Sequence, residues 1–243
     1  MSWKALEAEL ALWRDAGRAA DFWWRDDDAT VRTPALERLA GFSRESGIPL
    51  ALAAIPAGAE DAALAGFHCV VMHGCDHRNR AAAGAKKSEF ADGERDDEAL
   101  ARLASARERL ARLAGARFVS ALVPPWNRLK QSLIARLPSA GISGLSRYGA
   151  RARSEAAVVE VNTHVDIIDW HGTRGFVGED AALGLALRHL AARREGRADG
   201  REPTGVLTHH AVHDEAAWRF LAQLFEVTRR HGAVWANPMG FFP

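Results

Sequence analysis

Apolar stretches of strand length alternate along the chain with longer segments in which apolar residues recur every three or four positions. The first pattern is typical of buried strands, and the second is typical of helices that pack on them. We predict seven strands and a short eighth, at residues 19–25, 48–55, 67–72, 118–123, 141–145, 158–165, 205–208 and 234–236. We predict helices between them, at residues 2–16, 34–46, 98–114, 130–137, 180–194 and from 215 onward.

The alternation of strands and helices predicts one domain over residues 1–243, in which a helix within residues 1–18 packs on a parallel sheet. Such a sheet is either doubly wound or closed into a (β/α) barrel. Neither a GxGxxG motif nor a phosphate-binding P-loop follows the first strand, which disfavours a nucleotide-binding sheet. We therefore expect an α/β fold, a distorted (β/α) barrel of seven strands.

Composition and charge narrow the function classes. The 243 residues are 48% hydrophobic, and the net charge is only +1 with acids interleaved among the arginines, so we expect no nucleic-acid partner. No apolar run approaches the length of a membrane span, and the N-terminal segment is unlike a signal peptide. We therefore expect a cytoplasmic protein with no membrane span. The pattern does not predict an oligomeric state, and two cysteines are too few for a disulfide framework.

Two groups of polar residues suggest metal chemistry. His73 follows the third strand, and His77 comes four residues later. Neutral imidazoles at this spacing can bind one Zn²⁺ ion if a carboxylate completes the set. In a chain with ten histidines, this pair alone is a weak signal. Asp26, Asp27 and Asp28 follow the first strand, and three adjacent carboxylates indicate either a solvated turn or metal and acid–base chemistry.

Polar clusters follow five of the predicted strands. They comprise residues 26–28, 73–77, 126–127, 166–170 and 209–210. In a (β/α) barrel, the carboxyl ends of the strands converge on the face where catalysis occurs, so we expect these clusters to form one site. The polar segment at residues 78–97 is either a lid over that site or a mobile surface loop.

The order of these clusters resembles the polysaccharide deacetylases, the NodB-homology carbohydrate esterases of family 4. That family has an acidic pair, HxxxH, RxPxG, DxxDW and a final Leu-x-His, in this order. The matching stretches are Asp27-Asp28 and residues 73–77, 123–127, 166–170 and 207–209. The resemblance spans about residues 20 to 215 and implies a metal-dependent deacetylase.

The resemblance also implies a role for each matching residue. Asp28, His73 and His77 would hold a divalent metal, and we expect Zn²⁺. Asp27 would be the general base on a metal-activated water, and His209 the general acid that protonates the leaving amine. Asp166 would hydrogen-bond His209 and raise its pKa. The substrate-binding residues would be Trp126, Asn127, Arg128, Trp170 and His210.

Departures from the family pattern leave alternatives open. The acidic triplet allows Asp26-Asp27 as well as Asp27-Asp28 to be the base and the ligand, although Ala29 is the better substitute for the glycine that usually follows the pair. Val123 occupies the position of the arginine that normally orients the base, so Arg25 or Arg128 must replace it for full activity.

We therefore expect a metal-dependent hydrolase that removes an N-acetyl group from an N-acetylated sugar or a sugar-containing precursor. One alternative is a hydrolase of the same fold that acts on a non-sugar C–N bond, in a cyclic amide or a formamide. Another is a non-catalytic carbohydrate-binding protein, which the missing arginine favours.

Overall fold

The computed structural model describes residues 1–152 and 157–243, and a single sheet lies at its centre. Within these residues nine strands form the sheet: β1 (Asp21–Ala29), β2 (Leu50–Ala54), β3 (Cys69–His73), β4 (Phe118–Val123), β5 (Gly144–Leu145), β6 (Val159–Glu160), β7 (Val165–Asp166), β8 (Thr204–Thr208) and β9 (Val234–Trp235). The pairings between these strands are parallel, so their carboxyl ends lie at the same edge.

The hydrogen-bonded order of the strands is β6-β5-β4-β3-β2-β1-β8-β7, and β9 pairs with the start of β1. The sheet curls into a half-barrel, which confirms the predicted distorted (β/α) barrel in a single domain. Nine strands are present in the described residues where seven and a short eighth were predicted, because the predicted strand at 158–165 splits into β6 and β7. Val161 donates its N–H to Leu145 in β5, whereas His164 donates to Gly205 in β8, so this segment crosses from one end of the sheet to the other.

Seven α-helices are present in the described part of the chain, and the longer ones cover the outside of the sheet. They are α1 (Trp3–Asp15), α2 (Pro34–Ser46), α3 (Asp61–Leu64), α4 (Asp96–Ala114), α5 (Gln131–Ile134), α6 (Glu179–Arg194) and α7 (Glu215–Arg230). Thr33 caps α2 as predicted, since its hydroxyl accepts from Leu36 N at 3.1 Å, and Gly47 ends the helix in the left-handed conformation. Asp214 caps α7 by accepting from Ala217 N at 2.8 Å.

Alternate side chains of β1 enter two different hydrophobic clusters. Trp23 points into the half-barrel, where small side chains such as Ala51 and Val71 surround it. Trp24 points outward and packs under the helices against Phe42 and Phe225. The same alternation of side chains determines on which face of the sheet each of the following polar residues of β1 lies.

The N-terminal helix α1 packs on α6 and α7. Trp3 contacts the ring of Phe220 with centroids 5.5 Å apart, and Glu9 accepts a hydrogen bond from Arg194 at 2.8 Å. In the described part of the chain, no helix has the length and apolar character needed to span a bilayer.

Candidate metal centre and catalytic pocket

The three aspartates of the acidic triplet point in three different directions at the end of β1. The strand continues through all three, so the prediction that it ends at Arg25 was wrong. The register between β1 and β2 shifts between Asp26 and Ala29, and Asp28 adopts a positive φ of 74°. A bulge of this kind re-aims side chains, and strained backbone of this kind is concentrated at functional sites.

Asp26 points outward and is fully engaged with β8 and the turn that follows it. Its Oδ2 accepts from the Thr208 hydroxyl at 2.6 Å and from His210 N at 2.9 Å, and its Oδ1 lies 2.6 Å from His210 Nδ1. Asp26 is therefore neither base nor metal ligand. The ring of His210, which we predicted to bind substrate, is buried against Asp26 and does not line the cavity that holds the other predicted site residues.

Asp27 points into the half-barrel on the same face as Arg25. Arg25 is completely buried and holds both oxygens of Asp27, with Nε–Oδ1 at 2.8 Å and Nη2–Oδ2 at 3.0 Å, while its Nη1 donates to Ser146 at 2.6 Å. A two-point contact of this kind fixes the orientation of a carboxylate. Of the two arginines predicted to replace the one missing at Val123, Arg25 makes the contact with the base position.

Asp28 lies against both histidines of the HxxxH motif. Its Oδ1 is 3.0 Å from His73 Nε2 and 3.4 Å from His77 Nε2. Ligand atoms of a tetrahedral zinc site with bonds of about 2.0 Å are about 3.3 Å apart, so these separations fit one ion. Asp28 Oδ1 is also buried and has no hydrogen-bond partner, which is the state of an atom that a cation would satisfy.

The protonation of His73 also suits a metal ligand. Its Nδ1 lies 3.0 Å from the carbonyl oxygen of Val123, which can only accept, so Nδ1 carries the proton. The lone pair of Nε2 is therefore free and faces Asp28 and His77. A backbone carbonyl that fixes the ring in this way is the usual second partner of a metal-binding histidine.

The charges of these residues are mutually dependent. Burial raises the pKa of Asp28, but the imidazoles of His73, His209 and His77 outweigh burial and bring the pKa below the usual range of a carboxyl group. Burial lowers the pKa of His73, but Asp27 and Asp28 more than offset it and raise the pKa. Burial and the neighbouring His73 lower the pKa of His77. The group thus holds ionised Asp28 beside imidazoles, a donor set that a divalent cation would stabilise.

A buried glutamate supports the loop between the two histidines. Glu89 is completely buried, and its Oε1 accepts from Cys75 N at 2.9 Å and from Asp76 N at 3.0 Å. Gly74 has a φ of +61°, and a Cβ at this position would lie 2.0 Å from Glu89 Oε2, so a side chain does not fit. The segment at residues 78–97, predicted to be a lid or a surface loop, therefore contributes a buried support for the candidate metal ligands, in addition to residues on the pocket wall.

The predicted catalytic and binding residues meet in one cavity of about 410 Å³. Its lining includes the predicted residues Asp27, Asp28, His73, His77, Trp126, Asn127, Arg128, Asp166, Trp170 and His209. Trp126 contacts His77 with ring centroids 4.6 Å apart, and Trp170 contacts His209 at the same distance. Like Asp28 and His77, Trp126 and Asn127 have positive φ angles, so strained backbone is concentrated around the cavity.

The predicted hydrogen bond between Asp166 and His209 is not formed. Asp166 Oδ1 accepts from Ile168 N at 3.0 Å, and its Oδ2 accepts from the Trp170 indole at 2.9 Å. His209 Nδ1 is buried without a partner, so the edge-on contact with Trp170 orients the ring instead. Burial raises the pKa of Asp166, and the neighbouring imidazole of His209 partly opposes this increase.

Two polar residues that line the cavity were not among the predicted site residues. Lys87 comes from the segment between β3 and α4, and His171 follows Trp170. No motif in the sequence includes Lys87, because this residue lies in a long polar loop without periodicity. His171 flanks a predicted cluster, and that adjacency was its only signal.

A second group of metal-ligating side chains lies at the opposite end of the barrel, near the start of β8. It consists of buried His164, His189 and Glu202. Gly205 N donates to His164 Nδ1 at 3.0 Å, so the proton of His164 is on Nε2, which faces Glu202 Oε2 at 3.5 Å. A nitrogen that carries a proton cannot bind a metal. This group is therefore a histidine–carboxylate pair with His189 stacked on it.

The chain is similar to known proteins in its fold but not in its sequence. No family model matches the chain, and no curated protein sequence matches it. Among solved structures, the chain is similar to a protein from Mycobacterium smegmatis classed with the polysaccharide deacetylases, at 16% identity and a TM-score of 0.62 over 91% of this chain and 88% of that one. It is similar to a family 4 carbohydrate esterase from Streptomyces lividans, at 13% identity and a TM-score of 0.58 over 92% and 96%.

A third similar structure is the chitin deacetylase of the fungal pathogen Colletotrichum lindemuthianum, at 13% identity and a TM-score of 0.54 over 93% of this chain and 92% of that one. The resemblance predicted from the order of the motifs is thus confirmed at the level of the fold. Over about nine-tenths of its length, the chain has the fold of the polysaccharide deacetylases and family 4 carbohydrate esterases.

Proposed function

We propose that this protein is a Zn²⁺-dependent hydrolase that removes the acetyl group from the nitrogen of an N-acetylated sugar. One observation carries the proposal. The three candidate ligands Asp28, His73 and His77 line the same cavity as an oriented carboxylate, Asp27, and a histidine, His209. Amide hydrolysis by a metal-dependent enzyme needs these groups at one place: ligands, a base and an acid.

Each residue has a defined task in this scheme. A divalent ion held by Asp28, His73 and His77 would polarise the amide carbonyl and lower the pKa of a water molecule, so that a nucleophile forms near neutral pH. Asp27, fixed by Arg25, takes the proton from the attacking water at a carboxylate oxygen. His209 gives a proton to the nitrogen that leaves, because an amide nitrogen is a poor leaving group without one.

The walls of the cavity support a sugar as the substrate. Trp126 and Trp170 lie beside the candidate ligand His77 and the candidate acid His209, and indole rings pack well on the apolar faces of sugars. The chitin deacetylase with the same fold is named for an N-acetylated polymer. The cavity of about 410 Å³ has room for a single sugar ring with its acetamide.

The test is acetate release by purified protein with added Zn²⁺ or Co²⁺, on a panel of N-acetylhexosamine compounds. We expect turnover by the wild type and a loss of about 100-fold or more in Asp27→Asn, because this change removes the base but keeps the shape of the side chain. Asp28→Ala should lose bound metal as well as activity. The exposed surface variant Asp15→Asn is the matched control and should behave like the wild type.

Metal-loaded protein that releases no acetate from any sugar amide would contradict the proposal. Hydrolysis of small cyclic amides or formamides by the same preparation would favour the alternative reaction on a non-sugar C–N bond. The missing motif arginine was the reason for considering a non-catalytic protein. This reason is weakened, because Arg25 contacts the candidate base Asp27.

A further inference from the structure

Two cationic side chains lie at the cavity without an acidic partner. Lys87 and Arg128 both line the cavity that holds the candidate metal ligands. Arg128 Nη1 donates to the backbone carbonyl of Lys87 at 2.8 Å, which joins the loop before α4 to the segment after β4. Neither side chain forms an ion pair with any of the described residues. The donors on Arg128 Nε and Nη2 and on Lys87 Nζ therefore remain available to a ligand.

Unlike Lys87 and Arg128, the neighbouring cationic side chains form ion pairs with acidic residues. Arg80 lies 2.6 Å from Asp76, and Lys130 lies 2.7 Å from Asp96, so both are neutralised within the fold. The carboxylates in the cavity are also matched elsewhere. Asp27 is held by Arg25, Asp28 faces two imidazoles, and Asp166 accepts from Ile168 and Trp170. Lys87 and Arg128 thus form no ion pair with the carboxylates that line the cavity.

A second cavity of about 820 Å³ adjoins the first, and Asn127 and Arg128 line both. Exposed Lys86 adds a further cation to the second cavity, and exposed Asp92 is the acid there without an ion pair among the described residues. A substrate whose acetamide lies at Asp28 can therefore extend past Arg128 into this space. Arg128 lies where the two cavities meet, and Lys87 lines the first of them.

We infer that the substrate carries an anionic group, a phosphoryl or a carboxylate, on the sugar, and that Lys87 and Arg128 bind it. This inference rests on the proposed function, because it places the acetamide at the metal centre. The guanidinium of Arg128 can donate two parallel hydrogen bonds to either anion, and Lys87 contributes a point charge beside it. The remaining face of Arg128 stays anchored to the Lys87 carbonyl, which fixes its direction.

The experiment is titration calorimetry of the Zn²⁺-loaded Asp27→Asn protein with three probes, because this variant should hydrolyse them only slowly. They are N-acetylglucosamine 1-phosphate, N-acetylmuramic acid and uncharged N-acetylglucosamine. We expect at least one of the two anionic probes to bind about 10-fold or more tightly than the uncharged sugar, with a preference that falls as salt is added. The phosphate and carboxylate arms identify which anion the subsite takes.

The variants Lys87→Met and Arg128→Met should each reduce the preference several-fold, and the double variant should abolish it. Lys4→Met removes an exposed lysine far from the cavity and is the matched control, with the preference intact. Equal binding of all three probes, or a preference that persists in the double variant, would overturn the inference. Because binding is measured in Asp27→Asn, where hydrolysis of the probes is slow, acetate release by the wild type separately decides the proposed function.

Discussion

At the scale of single residues, Arg25 shows how one buried side chain can replace a missing motif residue. It lies two positions before Asp27 on the same face of β1 and donates to both carboxylate oxygens. Arg25→Lys keeps the charge but loses the planar fork, so Asp27 would no longer be fixed. We expect kcat for acetate release to fall about 10- to 100-fold with little change in KM or metal content.

The matched control is Arg193→Lys. Arg193 is also fully buried, but it pairs with Asp21 at the opposite end of β1. Both variants should lower the melting temperature, because each loses buried hydrogen bonds. Only Arg25→Lys should lower kcat at a temperature where the proteins are folded. An Arg25→Lys enzyme with wild-type kcat would show that Asp27 does not depend on this contact.

Buried His189 makes the stability of the protein dependent on pH. Burial, with His164 and Arg193 adding to it, lowers the pKa of His189 to about 2. The folded-state pKa is thus below the unfolded value of about 6.5, so the contribution of His189 is complete above pH 6.5 and is lost as the pH falls. Between pH 7 and pH 5 this loss amounts to about 2 kcal/mol in the free energy of unfolding.

His189→Gln removes the titrating group and keeps a side chain that can hydrogen-bond Thr204. In urea unfolding followed by tryptophan fluorescence, we expect the variant to lose less stability than the wild type between pH 7 and pH 5. His68→Gln changes an exposed histidine and should retain the wild-type pH dependence. Identical pH dependence in His189→Gln and the wild type would contradict the prediction.

The sequence indicated which residue types would meet but not how the acidic triplet would divide. Asp26, Asp27 and Asp28 take different directions because the bulge and the positive φ at Asp28 interrupt the simple alternation of β1. The order of residues in β1 does not predict this shift in strand register, which depends on the pairing with β2. Lys87 could not be predicted either, since its position at the cavity depends on how a long loop folds back.

At the scale of elements, hydrogen bonds to buried Glu89 fix the backbone of the loop after β3. This side chain accepts from two backbone N–H groups that lie between His73 and His77. Glu89→Gln keeps one oxygen that can accept from both N–H groups, but it removes the carboxylate charge that strengthens the two hydrogen bonds. We expect the affinity for Zn²⁺, measured by competition with a chromogenic chelator, to fall about 10-fold, as is typical for residues that orient metal ligands.

Glu94→Gln is the control for Glu89→Gln. Glu94 belongs to the same loop and pairs with Arg102 at 2.7 Å, but it makes no contact with the backbone of the HxxxH motif. The affinity of the Glu94→Gln variant for Zn²⁺ should equal that of the wild type. Circular dichroism should show that both variants are folded. Equal affinities in Glu89→Gln and the wild type would mean that the loop holds its shape without this support.

Most elements could be predicted because they are long and periodic. The helices α1, α2, α4, α6 and α7 occur within a few residues of their predicted bounds. The exception is the stretch at residues 158–165, where an apolar run of strand length forms two strands of two residues each. Its backbone bonds first to β5 and then to β8, and such a switch of partners depends on sheet closure rather than on local pattern.

At the scale of the whole molecule, the half-barrel separates two histidine-containing groups. The group at the carboxyl ends of the strands lines a cavity and leaves Asp28 Oδ1 without a partner. The group near the start of β8 is buried, and the proton on His164 Nε2 faces Glu202. Both contain two imidazoles and a carboxylate, so the positions of the protons and the access to solvent favour the first group as the candidate metal site.

The most direct test is anomalous X-ray scattering at the zinc edge from a crystal grown with Zn²⁺. We predict one strong peak within bonding distance of Asp28, His73 and His77, and none at His164, His189 and Glu202. No peak among Asp28, His73 and His77, or an ion bound at the other group instead, would contradict the account of the metal centre.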